Sequence, residues 1–178
     1  MDKLTSELDK CHINRCTKTG INHENATNIY NFIKPIKTYK LSKGKSGICE
    51  IYQIDDRKYR RLVKGGLKLY LTNFYHKRER NMEPDECFVR KYNIYILEKK
   101  FQKVCGSADE KIQTAPFKME YYKELYPDFT IKFCYVFNDW FKQTKYLPEM
   151  RYLKKYNVSV LWASDIDYYD NLIAWLRD

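Results

Sequence analysis

Long apolar runs are missing from this chain. Segments such as Phe133–Phe137, FCYVF, are short, far from the roughly 20 residues that span a bilayer. The opening MDKLTSELDK is charged where a secretion signal would be apolar. Internal repeats, low-complexity tracts and Pro- or Ser-rich linkers are also absent, so the 178 residues read as one domain, 1–178. No CxxC pair occurs among Cys11, Cys16, Cys49, Cys87, Cys105 and Cys134, and without a secretion signal reduced thiols are the default. Cys11, His12, Cys16 and His23 form a zinc set only on paper, at a spacing that matches no common finger, and ordinary surface and packing roles are the competing reading. Together these absences point to a cytoplasmic protein with no membrane partner.

What is present is positive charge, and it is concentrated. The chain carries a net charge of +10. Residues 34–103 hold 19 Lys/Arg against 8 Asp/Glu, whereas residues 1–33 hold 4 and 4 and residues 104–178 hold 10 and 11. The clusters RKYRR (Arg57–Arg61) and HKRER (His76–Arg80) lie inside that middle segment. One basic segment is what a polyanion-binding face requires, since phosphate contacts supply most of the non-specific affinity for nucleic acid; a solvated basic surface is the plainer reading. Arg57, Lys58, Arg60, Arg61, Lys64, Lys77, Arg78 and Arg80 are the candidate contacts. Tyr52, Tyr59, Tyr70 and Tyr75 interleave with them and suit bases or sugars.

Periodicity predicts an α/β protein with a mixed central sheet flanked by helices. INHENATNIYNFIKP reads as a helix with Ile21, Ala26, Ile29, Phe32 and Ile33 near one face, ended by Pro35. ICEIYQI and LKLYLTNFY read as strands, the second after the Gly65-Gly66 turn. ECFVR and NIYILEKKF read as a tight hairpin around Lys91-Tyr92. Ser107 and Glu110 form a capping box opening a helix, in which Pro116 costs on the order of 3 kcal/mol if interior, so the helix kinks there or a second one starts near Thr114. IKFCYVFND reads as a strand covered on both faces. LPEMRYLKKYN, VSVLW and YYDNLIAWLRD read as helix, strand and closing helix. This divides the chain into an N-terminal helical part (1–45), basic strands and loops suited to DNA recognition (46–81), a core (82–160) and a C-terminal helix (161–178).

The hairpin carries the chemistry. Alternate strand residues share a face, so Ile94, Ile96, Glu98, Lys100 and Gln102 line one side and Tyr95, Leu97, Lys99 and Phe101 the other. A tight antiparallel hairpin pairs the start of its first strand with the end of its second, which brings Asp85 beside Glu98 and Lys100. Two adjacent carboxylates repel unless a proton or cation lies between them. Hard oxygen ligands favour Mg²⁺, which takes one or two carboxylates together with substrate phosphate. A lysine there orients and helps deprotonate a metal-bound water while the metal polarises phosphorus. The alternative reading is a structural ion pair at a strand end.

Pro84-Asp85 with Glu98-x-Lys100, followed by GSADEKIQT…FK and YVFNDWFK, resembles the PD-(D/E)xK nuclease superfamily, and in particular type II restriction endonucleases, over residues 82–160. The resemblance implies a restriction-endonuclease-like core and a Mg²⁺-dependent, sequence-specific double-strand DNA endonuclease in which Mn²⁺ can substitute. It implies that Asp85, Glu98 and the backbone carbonyl of Lys99 bind the metal and that Lys100 is the catalytic lysine. Gln102 would contact the scissile phosphate or hold the lysine, with strand packing as the alternative. Glu24 would be an accessory acid or a surface residue. Lys111 and Gln113 would approach the DNA backbone, or serve capping and solvation. Asn138 and Asp139 suit an Asx turn. Two strands to cut and one site per chain imply a homodimer on double-stranded DNA. A repair or junction-resolving nuclease and a non-catalytic nucleic-acid-binding protein are the other readings. Glu86, next to Asp85, has no role in this scheme beyond a supporting acid or a solvent-facing residue.

Overall fold

A computed structural model describes residues 20–41, 47–63, 65–72, 82–104, 106 and 108–178. Its centre is a seven-stranded sheet in sequential order: β1 (Lys37–Lys40), β2 (Ile48–Ile54), β3 (Arg57–Val63), β4 (Glu86–Arg90), β5 (Asn93–Lys100), β6 (Thr130–Phe137) and β7 (Ser159–Trp162). From β1 to β5 neighbours are antiparallel, and β5, β6 and β7 are mutually parallel. The change in direction follows from the connections. Two-residue turns at Asp55-Asp56 and Lys91-Tyr92 join antiparallel strands, each with its first residue in the left-handed region, φ 53° and 49°. Parallel strands need a crossover, provided by α3 (Ala108–Lys111) and α4 (Ala115–Leu125) before β6 and by α5 (Leu147–Lys155) before β7.

The helices cover both faces of the sheet. On one, Leu67 and Leu71 of α2 (Gly66–Thr72), Ala115, Met119, Tyr122 and Leu125 of α4 and Leu153 of α5 pack with Ile94, Ile96, Phe133, Tyr135 and Phe137. On the other, Tyr168, Leu172, Ile173 and Leu176 of α6 (Tyr168–Arg177) pack with Ile29, Tyr52, Tyr59, Phe88, Tyr95 and Leu97. Both faces of β5 and β6 are thus buried, which accounts for their near-continuous apolar sequences. The alternation predicted for β5 holds: Ile94 and Ile96 join the first cluster, Tyr95 and Leu97 the second.

Several expectations are corrected. LKLYLTNFY is not a strand in its described part. Gly65, at φ 76°, turns the chain into α2, because Leu67 and Leu71 at i, i+4 bury one helical stripe. The predicted first helix is broken: α1 covers residues 20–26, Asn28 caps a separate 3-10 turn at Ile29–Asn31 by accepting from Tyr30 N–H, and Ile21 and Phe32 are half exposed. β1 and β3 are strands beyond those expected. Around Pro116 the second of the two expected outcomes holds: the segment divides into α3, a 3-10 turn Ile112–Thr114 and α4, so the proline stands in the first turn of a new helix, where its missing N–H costs nothing. Ser107 of the expected capping box lies outside the described residues, and the closing helix starts at Tyr168, as expected for YYDNLIAWLRD, after a turn. No helix among the described residues is long and apolar enough to cross a membrane.

α6 is held mainly by its apolar stripe, and Leu172 is fully buried in it. Leu172→Ala is expected to lower stability by about 2–5 kcal/mol, read as a lower urea midpoint at unchanged slope.

Candidate functional site

The register of β4 and β5 pairs Glu86 with Leu97, so Asp85 stands one step further out, level with Glu98. Asp85 Oδ2 accepts the Lys99 backbone N–H at 2.7 Å. Glu98 and Lys100 project toward α4, as alternation requires. The Lys100 ammonium lies 2.7 Å from Glu98 Oε2, 3.4 Å from the Lys99 carbonyl oxygen and 3.8 Å from Asp85 Oδ2. Three oxygens from three residues therefore converge on one cation. Burial alone would lower the Lys100 pKa, but Glu98 and Asp85 outweigh it and hold the group above the ordinary lysine value, so it is an ammonium in this arrangement. Desolvation, partly offset by Lys100, pushes the Asp85 carboxyl up. The second Glu98 oxygen, Oε1, takes Lys118 Nζ of α4 at 3.0 Å. Lys118 had no sequence-based role; the only signal was its place in the FK that follows GSADEKIQT.

Behind the site, on the opposite face of the sheet, runs a buried row of charges. Arg61 of β3 donates to Glu50 of β2 at 2.6 Å and, through Nε, to Glu86 of β4 at 3.0 Å. Lys99 Nζ of β5 lies 3.4 Å from Glu86 and 3.2 Å from the Glu24 carbonyl oxygen of α1. Signs alternate across four strands, and Arg61, Glu86 and Lys99 are 5%, 1% and 7% exposed. Burial pushes the Glu86 carboxyl up, but Lys99 and Arg61 outweigh it and the pKa lies below the usual glutamate value. Glu86 is thus neither solvent-facing nor near the Glu98 carboxylate's face. Glu24 is exposed, and its carboxyl is raised first by desolvation and then by the Asp85 charge.

Beyond β5 a hydrogen-bond chain fixes the exit of the strand. Gln102 N–H donates to Asn138 Oδ1 at 3.1 Å and Asn138 Nδ2 donates to Gln102 O at 2.8 Å, a side-chain continuation of the β5–β6 ladder. Gln102 Nε2 donates to Asp109 Oδ1, which also accepts from Tyr146 OH, which accepts from Trp140 Nε1. Gln102 is therefore buried in strand and turn contacts; its side chain is committed to Asp109 and Gly106. Asn138 makes this bridge in place of the expected Asx turn.

The basic residues divide. Arg61 belongs to the buried row, which corrects its assignment as a DNA contact: two carboxylates hold it out of solvent. The β3–β4 register sets Arg60 against Val89 and Leu62 against Cys87, so Arg57 and Lys58 lie at the far end of β3 from Asp85, and Arg57 donates to the Arg177 carbonyl. Arg60 stands over Tyr70. Tyr52 and Tyr59 are fully buried, donating to Glu50 and to the Leu176 carbonyl, so neither is available to bases. Lys64, Tyr75, Lys77, Arg78 and Arg80 lie outside the described residues. Lys111 and Gln113 are exposed, and the Lys111 carbonyl accepts from Tyr135 OH, whose ring centroid is 6.0 Å from Lys100 Nζ. Of the zinc set, Cys11, His12 and Cys16 lie outside the described residues. His23 is buried with Nε2 3.4 Å from the Val136 carbonyl. Cys49, Cys87 and Cys134 are free and buried.

Among the described residues no three His, Cys, Asp or Glu side chains gather as a metal cage. The donors at Lys100 are two carboxylates and a carbonyl, which suits a hard ion that completes its shell with water and substrate oxygens. No protein-family model, curated protein or solved structure matches the chain.

Removing one member of the buried row leaves the others charged and unmatched. Glu86→Gln is expected to cost about 3–5 kcal/mol; a urea midpoint equal to that of the unaltered protein would show that the row does not hold the sheet.

Proposed function

We propose that this chain is a Mg²⁺-dependent DNA endonuclease of the PD-(D/E)xK class with a restriction-type activity. The observation that carries the reading is the convergence of Asp85 Oδ2, Glu98 Oε2 and the Lys99 carbonyl on a single cation, at the carboxyl ends of the parallel strands β5 and β6, where α/β sheets bind ligands. On this reading the three oxygens hold Mg²⁺, or Mn²⁺ in its place, and when bound the ion acidifies a water and polarises the phosphodiester. Asp85 and Glu98 supply the negative charge that holds it, and Lys99 fixes its own carbonyl through the N–H bond to Asp85. Lys100, beside both carboxylates, would orient the attacking water and offset charge on the phosphate. On this reading the exposed Lys111 and Gln113 would touch the backbone of the duplex, and two copies acting on a two-fold symmetric target would cut both strands.

A structure-selective repair or junction nuclease is the second reading, and one observation supports it: Arg57 and Lys58 lie at the far end of β3 from Asp85 and Arg61 is held in the buried row, so these residues do not surround the site. Intact Asp85, Glu98 and Lys100 argue against a purely binding role.

Incubation with Mg²⁺ and plasmid DNA is expected to give discrete fragments, and preferential cutting of a four-way junction would select the second reading. Asp85→Ala and Lys100→Ala are each expected to abolish cleavage while a gel shift retains the DNA. Full-rate cutting by either variant would sink the proposal.

A further inference from the structure

We propose that Lys118 is a further catalytic residue of this site, a fixed cation that takes a non-bridging oxygen of the scissile phosphodiester; the inference rests on the nuclease reading above. Glu98 has two oxygens and each is matched to its own ammonium, Lys100 on Oε2 at 2.7 Å and Lys118 on Oε1 at 3.0 Å. The two lysines come from different elements, β5 and α4, so Glu98 is held from two sides.

Lys118 is poorly placed for its own helix. It stands near the N-terminal end of α4, whose first turn has no acidic residue, and a cation there opposes the helix dipole. A residue that breaks a local rule without a local gain points to a role elsewhere. Lys100 is shared between Glu98 and Asp85, and Lys118 supplies the second cation that balances the two carboxylates. The side chain is also reachable, 19% exposed, and the adjoining Phe117 is 66% exposed.

Charge gives the same answer. Asp85, Glu98, Lys100 and Lys118, the four groups in contact, cancel. A divalent ion adds two positive charges, which one phosphodiester and one attacking hydroxide restore to neutrality. As the water oxygen adds to phosphorus, its proton passes to solvent. The P–O bond to the leaving deoxyribose oxygen breaks, and that oxygen takes the electron pair and a proton from solvent. Meanwhile the non-bridging oxygens gain charge. A second cation fixed on the protein offsets that charge, the role a second metal ion plays in two-metal sites.

The experiment compares the unaltered protein with Lys118→Met and Lys118→Arg. Binding of a fluorescently labelled duplex is measured by anisotropy in Ca²⁺ over a salt series, and cleavage is measured in Mg²⁺. Loss of one phosphate contact is expected to flatten the log affinity against log salt slope by about one and to slow cleavage about 100-fold, with Lys118→Arg recovering part of both at an unchanged melting midpoint. Lys118→Gln, which keeps a donor toward Glu98, replaces the methionine variant if that one does not fold. An unchanged slope with full-rate cleavage overturns the role of Lys118 alone. An unaltered protein that cuts no DNA in Mg²⁺ overturns the nuclease reading, and this inference with it.

Discussion

The arrangement depends on neutralising charge inside a sheet. Glu50, Arg61, Glu86 and Lys99 lie on one face of four successive strands with alternating sign, and none is stable there alone, since an unmatched buried ion costs several kcal/mol. The row is therefore cooperative in a geometric sense: it forms only if β2, β3, β4 and β5 adopt one register. That register sets Asp85 level with Glu98. Lys99 links the two faces. Its ammonium belongs to the buried row, its N–H holds Asp85, and its carbonyl faces the Lys100 ammonium. A one-residue slip of β5 would turn Glu98 and Lys100 to the wrong face and leave Glu86 without its lysine.

A second set of bonds fixes the strand just past the site. Gln102, Asn138, Asp109, Tyr146 and Trp140 form one chain, and four of them fall in the motifs GSADEKIQT and NDWF or at the end of YILEKKFQ. Those motifs therefore carry a mechanical function. They clamp the exit of β5 against the start of the α3–α4 crossover, which positions Lys118 over Glu98. Bonds of this kind leave the charged groups beside them little freedom to rearrange.

Much of this was legible in the sequence where period and turn chemistry agreed. β2, β4, β5, β6 and α5 were readable because apolar residues recur at the right spacing between clear turns, and the proximity of Asp85, Glu98 and Lys100 followed from parity and hairpin pairing alone. The failures have physical causes. In LKLYLTNFY, Leu67, Leu69 and Leu71 satisfy a two-residue period and Leu67, Tyr70 and Leu71 a helical one, and only the covering sheet decides. In RKYRRLV the charges hid a strand, because Arg61 is stabilised by Glu50 and Glu86, partners far along the chain and invisible to local pattern. Lys118 was unreadable for the same reason: its meaning lies in a 3.0 Å contact with Glu98, on another element.

The charges at the site also constrain how it can be used. Lys100 shares its three oxygens with any cation that replaces it there, and two cations on the same oxygens repel. A divalent ion and the Lys100 ammonium are therefore competitors at contact distance. With the ammonium in place, Asp85 and Glu98 are matched and the pocket has little pull on an anion. With a divalent ion on those three oxygens, Lys100 would be left without its carboxylate partners while Lys118 keeps Glu98 Oε1, on the open side of a site that would now be positive. Under the nuclease reading, affinity for the phosphodiester and readiness to cut then arise together, from the same exchange of partners. On that reading the basic residues at the far end of β3 would serve at most to hold a duplex near the protein, and the discrimination between a phosphate to be cut and one merely bound would belong to Glu98 and the two ammonium groups it holds apart.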